Sequence, residues 1–236
     1  MDGFLLIDKP AGWTSHDVVA KVRGIINAGT GQKIKVGHTG TLDPAATGLM
    51  VLVLGGYTKR ASEFSKLDKT YEAELTLGAT SSTGDSEGKI TPTTGFNKSK
   101  YSTRSRKILS YITEVVKSFE GTIWQKPPAF SAVKINGRRA YKLARAGKTV
   151  EIEPRQVKIY EIRDVKYNYP KLSFTTSVSS GTYIRTLAAD IGAKLGTGAY
   201  LSVLRRTSVG KFNIKKALAL DSLDLGKTRR GLLNHL

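Results

Sequence analysis

The stretch KVGHTGTLDPAATGLMVLVL, residues 35–54, contains two signals that decide how this chain is interpreted. Its second part, LMVLVL (49–54), is a continuous apolar run closed by two glycines, which is typical of a buried strand. Its first part places one carboxylate, Asp43, among glycines and threonines shortly before that strand. The proline after Asp43 disfavours helical backbone there, so the residue fits a turn. The stretch alone leaves open whether Asp43 is only a turn residue or a reactive group.

The surroundings of Asp43 also suit a functional loop. Gly37, Gly40 and Gly48 permit a ligand to approach the backbone closely, since glycine carries no side chain. A carboxylate on a loop next to a rigid strand is well placed to act as a nucleophile or a base. Asp43 is therefore the first candidate for a catalytic residue.

Composition excludes several classes of protein. The 236 residues include no cysteine and three scattered histidines, which argues against a disulfide framework and a metal centre. Signatures of phosphate-binding loops, dinucleotide sites and zinc hydrolases are missing, so these three classes of enzyme are not expected. The start of the chain resembles neither a signal peptide nor a membrane span, and no later apolar run approaches the length of one. We expect a cytoplasmic protein that does not enter a membrane.

The charge of the chain predicts a polyanionic partner. Thirty-eight Lys and Arg residues against nineteen Asp and Glu residues give a formal net charge of +19 and a pI near 10.0. Such an excess attracts nucleic acid first and anionic membranes second. The alternative is a surface that only keeps the protein soluble. Charge by itself supplies affinity and no sequence specificity.

The order of predicted elements indicates an α+β fold. Strands and helices mix without regular βαβ alternation, which favours a central, mainly antiparallel mixed sheet flanked by helices. Loops are predicted at 28–33 and 78–90. Strands are predicted at 4–7, 49–54, 71–77, 157–167, 172–178 and 201–212, and helices begin at Thr14 or Ser15 and cover 104–119 and 186–196.

A basic segment, about residues 124–152, interrupts this pattern with a Pro-Pro pair and an Asn-Gly turn around a short helix. No acidic residue occurs between Trp124 and Val150, whereas an ordinary surface helix mixes both signs. We call this segment the basic arm and predict that it grips phosphates. Its candidate RNA-binding residues are Lys126, Lys134, Arg138, Arg139, Lys142 and Arg145.

Two further candidates lie far from Asp43 in sequence. Arg185 follows Tyr183 in SSGTYIRTLAAD (179–190), where a strand passes into an apolar helix. The alternative is a solvated cation, but Tyr-Ile-Arg beside Gly181 and an apolar helix is not typical of a surface. An arginine near a buried aspartate would hold that aspartate ionised. Tyr71 fits a core aromatic on the inner face of a strand, or a ring stacked on a flipped nucleobase.

Five ordered blocks resemble the TruB family of tRNA pseudouridine synthases over roughly residues 3–220. This resemblance implies a pseudouridine synthase fold. Residues 1–236 would form a single catalytic domain, into which the basic arm is inserted. The blocks are GFLLIDKPAGWTSHDVV (3–19), GHTGTLDPAATGLM (37–50), DKTYEAELTLG (68–78), PPAFSAVKINGRRAYKLARAG (127–147) and SSGTYIRTLAADIGAKLGTGAYLSVLRRTSVGKF (179–212).

The resemblance implies an activity and a set of residue roles. The expected reaction converts uridine 55 in the TΨC loop of tRNA to pseudouridine, without cofactor or metal. Asp43 would attack ribose C1′ or assist elimination to a glycal, and the sequence leaves both routes open. Tyr71 would stack on the target base and help the proton shift from C5, and Arg185 would pair with Asp43 and hold it charged. His38 would fill the space left by the flipped base, and other RNA-binding positions are Lys9, Gly40, Lys59, Tyr183 and Leu204.

The resemblance also frames the alternatives. The chain ends at LDLGKTRRGLLNHL, so a C-terminal RNA-binding domain of the PUA type is not expected. The expected partner is the T stem-loop of tRNA, bound by a monomer without an obligate protein partner. One alternative is an RNA chaperone that folds tRNA and for which catalysis is secondary. The other is a guide-RNA-dependent synthase of the dyskerin type. The inserted arm argues against this alternative, because that type lacks it.

Overall fold

The structure, a computed structural model, describes residues 1–97, 99, 101, 105–131, 133–135, 137–147 and 150–233. Its described helices are α1 (Ser15–Thr30), α2 (Ala61–Ser65), α3 (Arg106–Lys117), α4 (Ala140–Arg145), α5 (Ile184–Leu195) and α6 (Leu225–Arg230). The strands are β1 (Gly3–Lys9), β2 (Val36–His38), β3 (Thr47–Leu54), β4 (Lys69–Leu77), β5 (Ala79–Ser81), β6 (Ile90–Pro92), β7 (Gly121–Gln125), β8 (Lys134–Ile135), β9 (Arg138–Arg139), β10 (Arg155–Asn168), β11 (Lys171–Val178), β12 (Ala199–Val209), β13 (Phe212–Asn213) and β14 (Leu218–Ala219). Short 3-10 turns lie at Gly55–Arg60 and Ile214–Lys216.

The chain divides into two compact units, residues 1–71 with 204–236 and residues 72–203. Strands β4 and β12 each begin in one unit and end in the other. A division into compact units does not decide whether they form one catalytic domain, so the single domain stays a prediction. Among the described helices, none is long and apolar enough to cross a membrane.

The first unit is built on the apolar run predicted as a buried strand. Strand β3 is buried from Gly48 onward and pairs antiparallel with β1, from Gly3 opposite Leu54 to Lys9 opposite Gly48. On its other side β3 pairs in parallel with β12, and β1 pairs in parallel with β14. Because β3 is buried on both faces, its sequence is apolar from Leu49 to Leu54 rather than alternating. Side chains of Phe4, Phe64 and Phe212 pack together beside them in the core.

Helix α1 forms where the sequence predicts it, because its start carries a capping box. The Thr14 side chain accepts from the Asp17 backbone N–H, and the Asp17 side chain accepts from the Thr14 N–H in return. The predicted loop at 28–33 is wrong in its first residues, since the helix continues to Thr30. It ends at Gly31, which has a left-handed φ of 66° that suits glycine.

The second unit places β4, β11, β10 and β7 next to one another in that order. Strand β10 pairs antiparallel with both β11 and β7. In β4 the predicted alternation is confirmed, with Ala73, Leu75 and Leu77 buried and the intervening residues more exposed. Helices α3 and α5 pack their apolar faces inward, through residues such as Ile112 and Ile191. The expected α+β class with a large, mainly antiparallel mixed sheet is confirmed.

Two small hairpins lie outside the main sheet. The predicted loop at 78–90 contains β5, which pairs antiparallel with β6, so that prediction is wrong for its ends. Within the basic arm, β8 and β9 pair over two residues each and lead directly into α4, the short basic helix that the sequence predicts. Both hairpins are too short to be recognised from period-two alternation.

Candidate active site

Asp43 lies in a tight loop between β2 and β3, which we call the Asp43 loop (residues 39–46). The Ala46 N–H donates to the Asp43 carbonyl at 3.1 Å, which closes a turn around Pro44. The turn interpretation of Asp43 is therefore confirmed, and it is compatible with a reactive role. The residue is half-buried, so a substrate can reach it while part of its surface is shielded from water.

Two buried side chains, Ser15 and Lys9, hold the Asp43 loop through hydrogen bonds to its backbone. The Ser15 hydroxyl donates to the Leu42 carbonyl at 2.9 Å and accepts from the Leu42 N–H at 2.8 Å. The Lys9 ammonium, 0% exposed, donates to the carbonyls of Pro10 (3.0 Å), Trp13 (2.7 Å) and Pro44 (3.1 Å). Backbone on both sides of Asp43 is thus fixed by hydrogen bonds that cost free energy to break when buried.

The burial of Lys9 bears on its predicted role. The resemblance implies a basic residue that could touch the RNA backbone, whereas the ammonium is buried at the end of β1 and donates to three carbonyls. A contact of Lys9 with RNA stays a prediction, and it would require some of these bonds to be exchanged.

The other candidates of the first unit lie on several elements. His38 ends β2 and pairs with Leu52 of β3, and it is half-buried. Lys59 is exposed on a 3-10 turn. The Leu204 carbonyl accepts from the Thr47 hydroxyl at 3.4 Å, which places this residue beside the start of β3. Tyr71 is buried on β4, as expected for a core aromatic, and its stacking on a flipped nucleobase stays a prediction.

Arg185 is the best-anchored candidate of the second unit. It starts α5, is 6% exposed, and donates to the carbonyls of Thr83 (2.9 Å) and Phe130 (2.8 Å). Its guanidinium also lies 3.5 Å from the carboxylate of Asp85. The interpretation of Arg185 as a solvated surface cation is therefore wrong. Asp43 belongs to the other unit, and the predicted ion pair between the two stays a prediction.

Asp85 is a residue that the sequence interpretation missed. Its carboxylate, 7% exposed as a whole residue, accepts from the Thr83 hydroxyl at 2.5 Å and from the Glu87 N–H at 3.1 Å, beside Arg185. The signal was an acid between glycine and serine in a polar loop, which resembles ordinary turn sequence. Only the fold brings that loop to the start of α5.

Tyr183 and the root of the basic arm are tied together. The Gln125 side-chain amide donates to the Tyr183 carbonyl at 3.1 Å, and its oxygen accepts from the Tyr183 N–H at 2.7 Å. The Arg155 guanidinium lies 5.2 Å from the centre of the Tyr183 ring, within cation–π range. This ring therefore has a protein partner on one face.

The basic arm presents lysines to solvent. Lys126 and Lys142 are exposed, as phosphate-binding residues must be. Lys134 belongs to β8, Arg138 and Arg139 to β9, and Arg145 to α4, and the placement of these four side chains lies outside what the structure describes. Among the described residues, no cluster of three or more His, Asp or Glu side chains could hold a metal ion.

Known proteins similar to this chain point to one enzyme family. Residues 28–184 match the N-terminal domain of the TruB family of pseudouridylate synthases, and residues 185–229 match the C-terminal domain of tRNA pseudouridylate synthase B. A tRNA pseudouridine synthase B of Dechloromonas aromatica (strain RCB) is 45% identical over 224 residues, 95% of this chain and 70% of that protein. Its counterpart in Geotalea uraniireducens (strain Rf4) is 46% identical over 221 residues, 94% and 67% of the two chains.

Solved structures give the same picture for the fold. A crystal structure of a Cbf5-Nop10-Gar1 complex contains a chain that is similar with a TM-score of 0.68 at 31% identity, over 94% of this chain and 53% of that one. An H/ACA RNP bound to a substrate RNA containing 2′-deoxyuridine matches with a TM-score of 0.65 at 28% identity, over 94% and 52%. This chain thus spans about half the length of those chains. From the matched domains and the identity to full-length relatives, the chain belongs to the TruB family of pseudouridylate synthases.

Proposed function

We propose that this protein converts uridine 55 in the TΨC loop of tRNA to pseudouridine, with Asp43 as the catalytic group. The observation that carries the proposal is the family match together with a half-buried carboxylate on a loop held from beneath by Lys9 and Ser15. The relatives named tRNA pseudouridine synthase B supply tRNA as the substrate. A net charge of +19 supports binding to a polyanion.

The chemistry of the proposal needs only side chains of this chain. The bond from ribose C1′ to uracil N1 breaks, the base rotates, and C1′ is rejoined to C5. C5 then loses its proton and N1 gains one, so the product is an isomer of the substrate. Asp43 either attacks C1′ or assists elimination to a glycal. Tyr71 would stack on the flipped base, which must leave the helical stack before its glycosidic bond is accessible. Arg185 would pair with Asp43 and favour its ionised form.

The RNA-binding roles belong to the same proposal. His38 would occupy the space that the flipped base leaves, while Lys59 and Lys126 would contact phosphates from exposed positions. We propose that the protein acts as a cytoplasmic monomer on the T stem-loop. Phosphate contacts of this kind position the RNA, and the reactive pocket selects the nucleotide.

The test is incubation with unmodified tRNA, followed by carbodiimide-dependent primer extension. We expect one stop at the TΨC-loop uridine, no stop with Asp43→Asn, and an unchanged stop with Asp221→Asn, a control that removes an exposed carboxylate. A tRNA carrying cytidine at position 55 should give no product. Product at another uridine would contradict the position, and activity of Asp43→Asn would contradict the catalytic assignment.

The likeness to the Cbf5 complex keeps a guide-RNA-dependent synthase as the second candidate. The higher identity to tRNA pseudouridine synthase B, 45% against 31%, favours the guide-free enzyme. Product formed from purified protein and tRNA alone would exclude the second candidate. An RNA chaperone would instead assist tRNA folding equally well as wild type and as Asp43→Asn.

A further inference from the structure

Arg206 is a fully buried cation that the proposed chemistry does not use. It lies on β12 and is 2% exposed. Its guanidinium donates to three backbone carbonyls, with Nε to Leu49 at 2.7 Å, Nη2 to Gly40 at 3.0 Å and Nη1 to Thr41 at 3.4 Å. Gly40 and Thr41 precede Asp43, and Leu49 follows it in β3. A single planar group therefore joins the first part of the Asp43 loop to β3, the strand that follows the loop.

The backbone of Arg206 is also in close contact with β3. Arg206 pairs with Gly48 where β12 and β3 run in parallel. Gly48 has a φ of +105°, and a Cβ on it would lie 2.3 Å from the Arg206 carbonyl oxygen. Only glycine permits this approach, so main chain and side chain of Arg206 fix the same end of the loop.

A buried charge in this place requires a reason. Burying a cation costs free energy unless hydrogen bonds replace its hydration. Another buried cation, Lys69, lies nearby, and burial and the charge of Arg206 lower its pKa to about 8. Apolar side chains would fill this volume without that cost, whereas the guanidinium offers five donors in a rigid plane. Those donors face the carbonyls of the Asp43 loop, which suggests that its geometry is what they preserve.

We propose that Arg206 is a positioning residue for Asp43. It holds residues 40, 41 and 49 at fixed distances, and the turn at 43–46 is thereby kept in the orientation in which the carboxylate reaches the ribose. Lys9 and Ser15 fix the middle of the loop, and Arg206 joins its first part to β3. The inference rests on the proposed function, because it assigns Arg206 a part in the same reaction.

The experiment compares Arg206→Lys with Phe212→Leu, a core substitution in β13 that lowers stability without removing a hydrogen bond to the loop. Lysine keeps the charge but cannot donate to three carbonyls in one plane. With all proteins folded, we expect Arg206→Lys to reduce kcat on the order of 100-fold at an unchanged KM for tRNA, as misplacement of a reacting group by about 1 Å does. Phe212→Leu should keep kcat within about threefold of wild type at temperatures well below its Tm.

Hydrogen–deuterium exchange of the loop gives a readout that does not depend on activity. We expect the amides of Leu42 and Ala46 to exchange at least about tenfold faster in Arg206→Lys, and at the wild-type rate in Phe212→Leu. Unchanged exchange, or an unchanged kcat in an active enzyme, would overturn the inference. A wild-type protein that forms no pseudouridine would instead overturn the proposed function, and the exchange data would still decide whether Arg206 holds the loop.

Discussion

Around the Asp43 loop, cationic side chains are buried and donate to backbone carbonyls, whereas along the basic arm Lys126 and Lys142 are exposed to solvent. The loop is held through Lys9 and Arg206, with several hydrogen bonds each. The arm is described by strands of two residues and a helix of six. Buried cations in this protein thus hold backbone in place, whereas the exposed cations are the candidates for attracting a polyanion, and a net charge alone does not separate the two groups.

The largest effect is expected at Arg185, the buried cation near the start of α5 that donates to the Phe130 carbonyl of the basic arm. Arg185→Met removes one partner of a buried pair and leaves the Asp85 carboxylate uncompensated, so the free energy of unfolding should fall by about 4 kcal/mol. Arg163→Met is the matched control, because its ion pairs with Glu161 and Asp164 are exposed and should each contribute less than about 0.5 kcal/mol. Denaturant unfolding measures both. Equal decreases in the free energy of unfolding of the two variants would show that burial does not make the Arg185 ion pair more important than the exposed one.

Glycines at the two regions provide the second contrast. Gly48→Ala would bring a Cβ against the Arg206 backbone and should lower the free energy of unfolding by about 3 kcal/mol. Gly147→Ala in the arm, also at positive φ (69°) but with open space around it, should cost about 1 kcal/mol. Thermal and denaturant unfolding of the pair would test this. A smaller loss at Gly48 would mean that the loop tolerates displacement.

Lys69 tests the cost of buried charge through pH. Its pKa is lowered to about 8, so the penalty for holding its charge is present below pH 8 and disappears as pH rises towards the unfolded value near 10.5. The free energy of unfolding of wild type, relative to Lys69→Met, should therefore increase by about 2 kcal/mol from pH 7 to pH 10. A pH-independent difference would contradict a depressed pKa at this site.

The smallest effect is expected from the exposed lysines of the arm. The double variant Lys126→Ala/Lys142→Ala should weaken tRNA binding by about 1 kcal/mol, with kcat at saturating tRNA unchanged. The slope of log affinity against log salt concentration should become less steep by about 2, the loss of two phosphate contacts. Lys107→Ala/Lys117→Ala, which removes two exposed lysines of α3, is the control for general charge. If both double variants change the salt dependence of tRNA affinity equally, the arm contributes no more to binding than other exposed lysines do.

The sequence predicts what depends on local pattern. The buried strand at 49–54, the capped helix after Thr14 and the alternating strand at 71–77 all form as expected, because periodicity and capping are short-range properties. The burial of Lys9 and Arg206 could not be predicted in this way. Their carbonyl partners include Pro44 and Gly40, which are 35 and 166 positions away, and an arginine doublet in a basic chain resembles a surface.

The candidate site divides along the same line. Asp43 could be proposed from its loop and from the family resemblance, whereas Asp85 is brought to Arg185 from a polar loop about 100 positions earlier. A carboxylate in a Thr-Gly-Asp-Ser segment has many possible roles, and only the pairing of distant elements selects one. Site residues on recognisable motifs are therefore predictable, and the residues that hold them are not.

The Gln125 amide at the root of the arm imitates a peptide group. It gives one hydrogen bond to the backbone of Tyr183 and takes one from it, as a residue of a neighbouring strand would. Glutamate has nearly the same size but lacks the donor, and its charge would face the Tyr183 carbonyl oxygen. Deamidation of this single side chain would thus replace one of the hydrogen bonds between the arm and the start of α5 by a repulsion, while the bond from Arg185 to the Phe130 carbonyl is retained.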